Sequence, residues 1–127
     1  MILRRDYRFE ASHQLPCHGG RCRHIHGHSY RFRVTIEGPV DPVTGMVMDF
    51  EDLDRLVGER VLPRLDHRHL NDLLENPTAE WIAAWIWRTL SPRLPGLVEV
   101  EVWEMEGASV ACRGESLPPG APAGEDR

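Results

Sequence analysis

The chain has 127 residues, 41% hydrophobic and 28% charged, with a net charge of −5. That length fits one domain with a buried core but is small for an isolated enzyme, so an active site shared between subunits is expected. The negative balance gives no electrostatic footprint for nucleic acid, and no apolar run approaches membrane-spanning length. The start Met1-Ile2-Leu3-Arg4-Arg5 turns at once into strand alternation, so the chain reads as cytoplasmic without a signal peptide.

Ile2 to Ala11 alternates as a strand, with Leu3, Tyr7 and Phe9 on one face and Arg4, Asp6, Arg8 and Glu10 on the other; His13 continues the parity of Phe9. Pro16, Gly19 and Gly20 predict a loop that returns the chain antiparallel. Tyr30, Phe32, Val34 and Ile36 then alternate with Arg31, Arg33, Thr35 and Glu37, which sets His26 and His28 in register with the apolar face. Asp49 is the expected N-cap of a helix carrying Phe50, Leu53, Leu56, Val57, Val61 and Leu65, kinked or ended by Pro63. Asp66 to Asp72 reads as a polar loop. Asn76-Pro77-Thr78 opens a second helix with Trp81, Ile82, Trp85, Ile86, Thr89 and Leu90 on one stripe. From Leu97 the period returns to two, with Val98, Val100 and Val102 on one face and Glu104 in the same register; a last strand covers roughly Ser109 to Arg113. The order is ββααββ, an α+β fold with a four-stranded antiparallel sheet whose two edges invite subunits to join. The domain spans 1–116, and 117–127 is Pro/Gly-rich, the composition of a disordered tail.

The chemistry concentrates in Cys22-Arg23-His24-Ile25-His26-Gly27-His28. Residues two apart on a strand share a face about 7 Å apart, so His26 and His28 can converge on one ion, whereas His24 sits about 13 Å from His28 on a regular strand. A third ligand should come from the neighbouring strand, and His13, at the end of the first, is the candidate. Three neutral imidazoles leave a coordination position open, the catalytic pattern for zinc. Cys22 reads as a thiolate base or nucleophile with Arg21, Arg23 and the metal lowering its pKa, or as a fourth ligand that would make the site structural. Asp66-His67 is either surface polarity or a carboxylate orienting a proton-transferring imidazole. Glu104, on an otherwise apolar face, is either at a solvent edge or suited to a ligand with adjacent N–H donors. Two rival readings remain at this point. One is a three-His zinc hydroxide enzyme that does not use Cys22; the other is an interaction module in which Cys22, His13, His26 and His28 close a structural site. Three cysteines, an odd number, point to free thiols, and Cys17 and Cys112 read as structural.

Taken together, Phe9-Glu10-Ala11-Ser12-His13, Cys22 with His26-Gly27-His28, Gly45-Met46-Val47-Met48-Asp49-Phe50, Leu65-Asp66-His67, Asn76-Pro77-Thr78-Ala79-Glu80 and Glu104 resemble the 6-pyruvoyltetrahydropterin synthase and 6-carboxytetrahydropterin synthase family over residues 2 to about 115. The resemblance implies the tunnelling fold, with subunits joined into trimeric barrels that stack as a homohexamer, active sites between subunits, and 7,8-dihydroneopterin triphosphate as substrate. Carried over by position, His13, His26 and His28 bind Zn2+, Cys22 is the catalytic thiol, Asp66 and His67 are its proton-relay partners, and Glu104 anchors the pterin ring. Cys22 stands four residues before His26, the spacing of the carboxy branch. That branch implies a lyase releasing acetaldehyde and triphosphate and leaving 6-carboxytetrahydropterin for queuosine and other deazapurine synthesis. The pyruvoyl branch eliminates triphosphate only. Cys17 and His24 depart from the family pattern, and Arg21, Arg23 and Arg68 are candidates for the triphosphate.

Overall fold

The computed structural model describes residues 1–16, 20 and 23–117. Its frame is the pair β1 (Ile2–His13) and β2 (His26–Glu37), antiparallel and in unbroken register from Ile2 opposite Glu37 to His13 opposite His26. The expected alternation is realised. Phe9, Ala11, Tyr30, Phe32, Val34 and Ile36 are buried on one face, with Phe9 stacked on Tyr30 at 4.7 Å between centroids. Arg4, Arg8 and Glu10 lie exposed on the other. β4 (Leu97–Met105) pairs antiparallel with β2, adding Val100 and Val102 to the buried face, and β5 (Ala108–Cys112) pairs with β4.

α1 (Phe50–Arg60) starts where Asp49 accepts the Glu51 amide at 2.8 Å, with Glu51 and Asp52 in the first turn, where the helix dipole favours them. The helix does not run on to Leu65. It ends at Val61, and a separate turn, α2 (Leu62–Leu65), begins with Pro63 in its first positions. A proline lacks the N–H that an interior position must donate, but near a helix start that hydrogen has no partner to lose. α3 (Ala79–Leu90) is capped by Thr78, which accepts the Trp81 amide at 3.2 Å. It packs on β4 and β5 and buries Ile82, Ala83, Trp85, Ile86 and Leu90.

The segment expected as a polar loop is corrected. It contains β3 (Arg68–His69), parallel to β1 through Ala11 opposite Arg68 and Ser12 opposite His69, and then a 3-10 turn over Leu70–Asp72. The sheet therefore has five strands, in the order β3-β1-β2-β4-β5, and is antiparallel except at this edge. Two residues are too few to display a period, and the fully buried Leu70 pins the segment beneath the sheet. Leu117, placed with the tail by composition, packs half-buried against the core; 118–127 lie outside the described residues.

Candidate active site

The same alternation that buries Tyr30 and Phe32 delivers imidazoles to the end of the sheet. His13 stands opposite His26, His28 shares their face, and Glu104 arrives from β4 in the valine register. One ligand atom from each of these four residues falls within a 4.8 Å group.

Hydrogen bonds to backbone carbonyls fix two of the rings. His13 Nδ1 lies 2.8 Å from the Pro77 carbonyl and His26 Nδ1 2.7 Å from the His24 carbonyl. A carbonyl only accepts, so both Nδ1 atoms carry hydrogen and each neutral ring presents its Nε2 lone pair. Those two Nε2 atoms are 2.9 Å apart. Facing lone pairs at that distance repel, and a cation between them turns repulsion into ligation. His28 Nε2 is buried without an aligned hydrogen bond, although Glu104 Oε1 lies 2.9 Å away. The donor set could hold a metal ion, and the carbonyls that fix two of its tautomers are the kind of outer-shell partner such a site uses. Tyr30 Oη, 3.2 Å from His13 Nδ1, completes that shell.

Burial pulls the His13 imidazole down, but in its protonated form hydrogen bonds to the Glu104 carboxylate and the Pro77 carbonyl outweigh that and hold its pKa above the usual value. Burial holds His28 below it. The hydrogen bond with His13 is the main reason Glu104 stays below the ordinary carboxylate range.

Asp66 and His67 form a second constellation. Asp66 Oδ1 accepts the Glu10 amide at 2.9 Å and lies 3.0 Å from His67 Nδ1, while the His67 amide donates to the Glu10 carbonyl at 2.6 Å. The Glu10 amide, followed by His67, lowers the Asp66 pKa. His67 adopts φ 58°, a left-handed conformation costing about 1–3 kcal/mol for a residue with a side chain, and β1 holds it there from both sides. Its side chain is 78% exposed. Among the described residues no hydrogen bond or ion pair joins this pair to the imidazole cluster. Both constellations border a cavity of about 530 Å³, lined by Glu10, Ser12, His28, Ser29, His67 and His69 among others.

Cys22, Cys17 and Arg21 lie outside the described residues. His24 is exposed and serves through its carbonyl, and Arg68 Nε donates to the Pro63 carbonyl at 3.1 Å. Cys112 is a buried free thiol, as expected of a structural residue. Sequence reasoning missed the Ser12–His69 contact at 2.9 Å, which depends on a strand it did not predict, and the Pro77 carbonyl, for which no side chain gives a signal.

Residues 2–115 match the family model for 6-pyruvoyl tetrahydropterin synthase. The chain belongs to this family of enzymes. It is 47% identical over 110 residues to the 6-carboxy-5,6,7,8-tetrahydropterin synthase of Synechocystis sp., covering 81% of this chain and 85% of the relative. It is 36% identical over 107 residues to the 6-pyruvoyl tetrahydrobiopterin synthase of Homo sapiens, covering 76% and 72%. The structure of the Caenorhabditis elegans 6-pyruvoyl tetrahydropterin synthase superposes with a TM-score of 0.82 at 27% identity, covering 91% of this chain and 96% of the other. The fold is that of the family, and the sequence stands nearer the carboxy relative than the pyruvoyl one.

Proposed function

We propose that the chain is a 6-carboxytetrahydropterin synthase. It converts 7,8-dihydroneopterin triphosphate and water to 6-carboxy-5,6,7,8-tetrahydropterin, acetaldehyde and triphosphate, a step of queuosine-type deazapurine biosynthesis in the cytoplasm. The observation that carries the reading is the set of converging imidazoles, His13, His26 and His28, in a chain 47% identical to a carboxy-type enzyme.

The imidazoles would hold Zn2+, which when bound supplies the Lewis acidity that acidifies the hydroxyls of the substrate side chain. Pro77 and His24 keep the His13 and His26 lone pairs aimed at one centre. Glu104 is assigned as the pterin anchor, because three imidazoles already complete a catalytic ligand set and a fourth protein ligand would close it. A carboxylate there accepts from adjacent ring N–H donors. Cys22 takes a proton from the substrate carbon next to a hydroxyl, and His67, oriented by Asp66, accepts or returns one. The exposure of His67 and its lack of contact with the cluster of its own subunit fit a pair that serves a site completed by a neighbouring subunit, in a homohexamer.

The test is a product assay on purified zinc-loaded protein with 7,8-dihydroneopterin triphosphate. Pterins are followed by mass and acetaldehyde by a coupled dehydrogenase. Acetaldehyde in equal amount with 6-carboxytetrahydropterin is the expected result. Triphosphate with 6-pyruvoyltetrahydropterin and no acetaldehyde would move the chain to the pyruvoyl branch, and no turnover by folded, metal-loaded protein would remove the substrate assignment.

A further inference from the structure

On the sheet face away from the helices, Arg8 of β1 and Arg31 of β2 stand directly opposite each other. Like charges so placed weaken a strand pair, so this arrangement costs stability unless something negative joins it. Asp6 fills that role only in part. It is held by Arg33 at 2.7 and 3.1 Å and meets Arg31 only at 3.4 Å. Arg8 feels Asp6 at a distance and makes no hydrogen bond or ion pair with any described residue. Arg31 is also held flat, its guanidinium carbon 3.9 Å from the centroid of the Trp103 ring, which leaves the edge of the guanidinium as its recognition surface.

These groups border a cleft of about 370 Å³, lined by Arg8, Ser29, Arg31, Trp103, Met105 and Glu106. Ser29 also lines the cavity that His28 and His67 border, so the two spaces adjoin. The Glu10 carboxylate nearby is engaged by the Ser29 hydroxyl at 2.6 Å, leaving Glu106 as the carboxylate on the cleft wall.

We propose that this cleft is a polyphosphate subsite, in which Arg8 and Arg31 grip the anionic tail of a substrate whose other end lies in the cavity bordered by His28 and His67. Guanidinium pairs suit phosphate oxygens because each planar edge offers two parallel N–H donors. Naming the tail as the triphosphate of a dihydropterin rests on the function proposed above; the preference for polyphosphate does not.

The experiment is calorimetric titration of sodium tripolyphosphate into the zinc-loaded full-length protein at low salt. The variants are Arg8→Gln, Arg31→Gln, Arg31→Lys, Arg68→Gln and, as a charge-matched control, Arg93→Gln. Arg8→Gln and Arg31→Gln should each weaken binding by about tenfold or more, Arg31→Lys by less, and Arg93→Gln should bind as wild type. All variants should keep zinc, and Arg8→Gln, which removes one of the two opposed charges, should melt no lower than the wild type. Binding of 7,8-dihydroneopterin, which has no phosphate, should be unchanged in Arg8→Gln and Arg31→Gln. Wild-type affinity in both of these variants would overturn the proposal. So would loss of binding in Arg68→Gln alone, or no binding by the wild type. Arg8- and Arg31-dependent tripolyphosphate binding by a protein that fails the product assay would sink the function and leave the subsite standing.

Discussion

The two halves of the β1–β2 pair follow one rule of alternation to opposite ends. In the half near Ile2 and Glu37, the inward register holds Leu3, Tyr7, Phe32, Val34 and Ile36, which need only one another and the helices. Its one inward hydroxyl, on Tyr7, is satisfied by Asp54 at 2.7 Å. In the half near His13 and His26, the same register holds three imidazoles whose Nε2 atoms crowd together, one of them buried with no aligned hydrogen bond. In the first half the one unpartnered buried polar atom is the outward-register Thr35 hydroxyl, whereas in the second several ligand atoms face one another in a group that could hold a cation. A strand period can therefore place a potential metal ligand as reliably as a core residue, and what separates the two is whether ligand atoms converge.

The strongest way to break the contrast is to remove a ligand. His13→Ala or His26→Ala should lower zinc affinity by at least about a hundredfold, measured by competition with a chromophoric chelator, because loss of a direct ligand should exceed the 10–100-fold typical of outer-shell changes. Phe32→Ala is its mirror image in the apolar half. It should cost about 3–5 kcal/mol in denaturant unfolding while zinc-to-protein stoichiometry stays at the wild-type value. Glu104→Gln should keep zinc and raise KM for the pterin by about ten- to a hundredfold, the cost of a lost charge-assisted hydrogen bond pair. Loss of zinc in that variant would make Glu104 a ligand instead.

Proton competition sharpens the same comparison. His13 has a raised pKa, so its protonation contributes stability that is fully present below the unfolded value near 6.5 and lost as pH rises through the folded value. Glu104, lowered, is ionised in both states above pH 6 and contributes no change there, whereas His28, lowered, contributes in the opposite sense to His13, destabilising the fold as pH falls through its unfolded value. Zinc must displace the His13 proton more often at pH 6 than at pH 8. The rise in melting temperature on adding zinc should therefore be larger at pH 8. The smallest effect belongs to the apolar half. Asp54→Asn, which removes the charge of the exposed Arg5 pair but leaves an oxygen for the Tyr7 hydroxyl, should have little effect on stability and leave zinc affinity unchanged.

The alternation from Leu3 to Ile36 announced both long strands and placed His13, His26 and His28 on one face, and Glu104 was legible in the valine register of β4. What the sequence concealed follows from its local nature. Arg68–His69 is too short to show a period, and its pairing with β1 depends on a contact across more than fifty residues. The left-handed turn at His67 is only weakly cued, because histidine, although enriched there over most side chains, adopts it far less readily than glycine. The tautomers of His13 and His26 are fixed by backbone carbonyls of Pro77 and His24, which any residue could supply.

Three imidazoles holding a zinc ion with a position left open are tested most directly by zinc K-edge X-ray absorption on the purified protein. That arrangement predicts three nitrogen scatterers at about 2.0–2.1 Å, the rest of the shell being oxygen. A sulfur scatterer at about 2.3 Å would contradict it, placing Cys22 on the metal and making the centre a closed structural site.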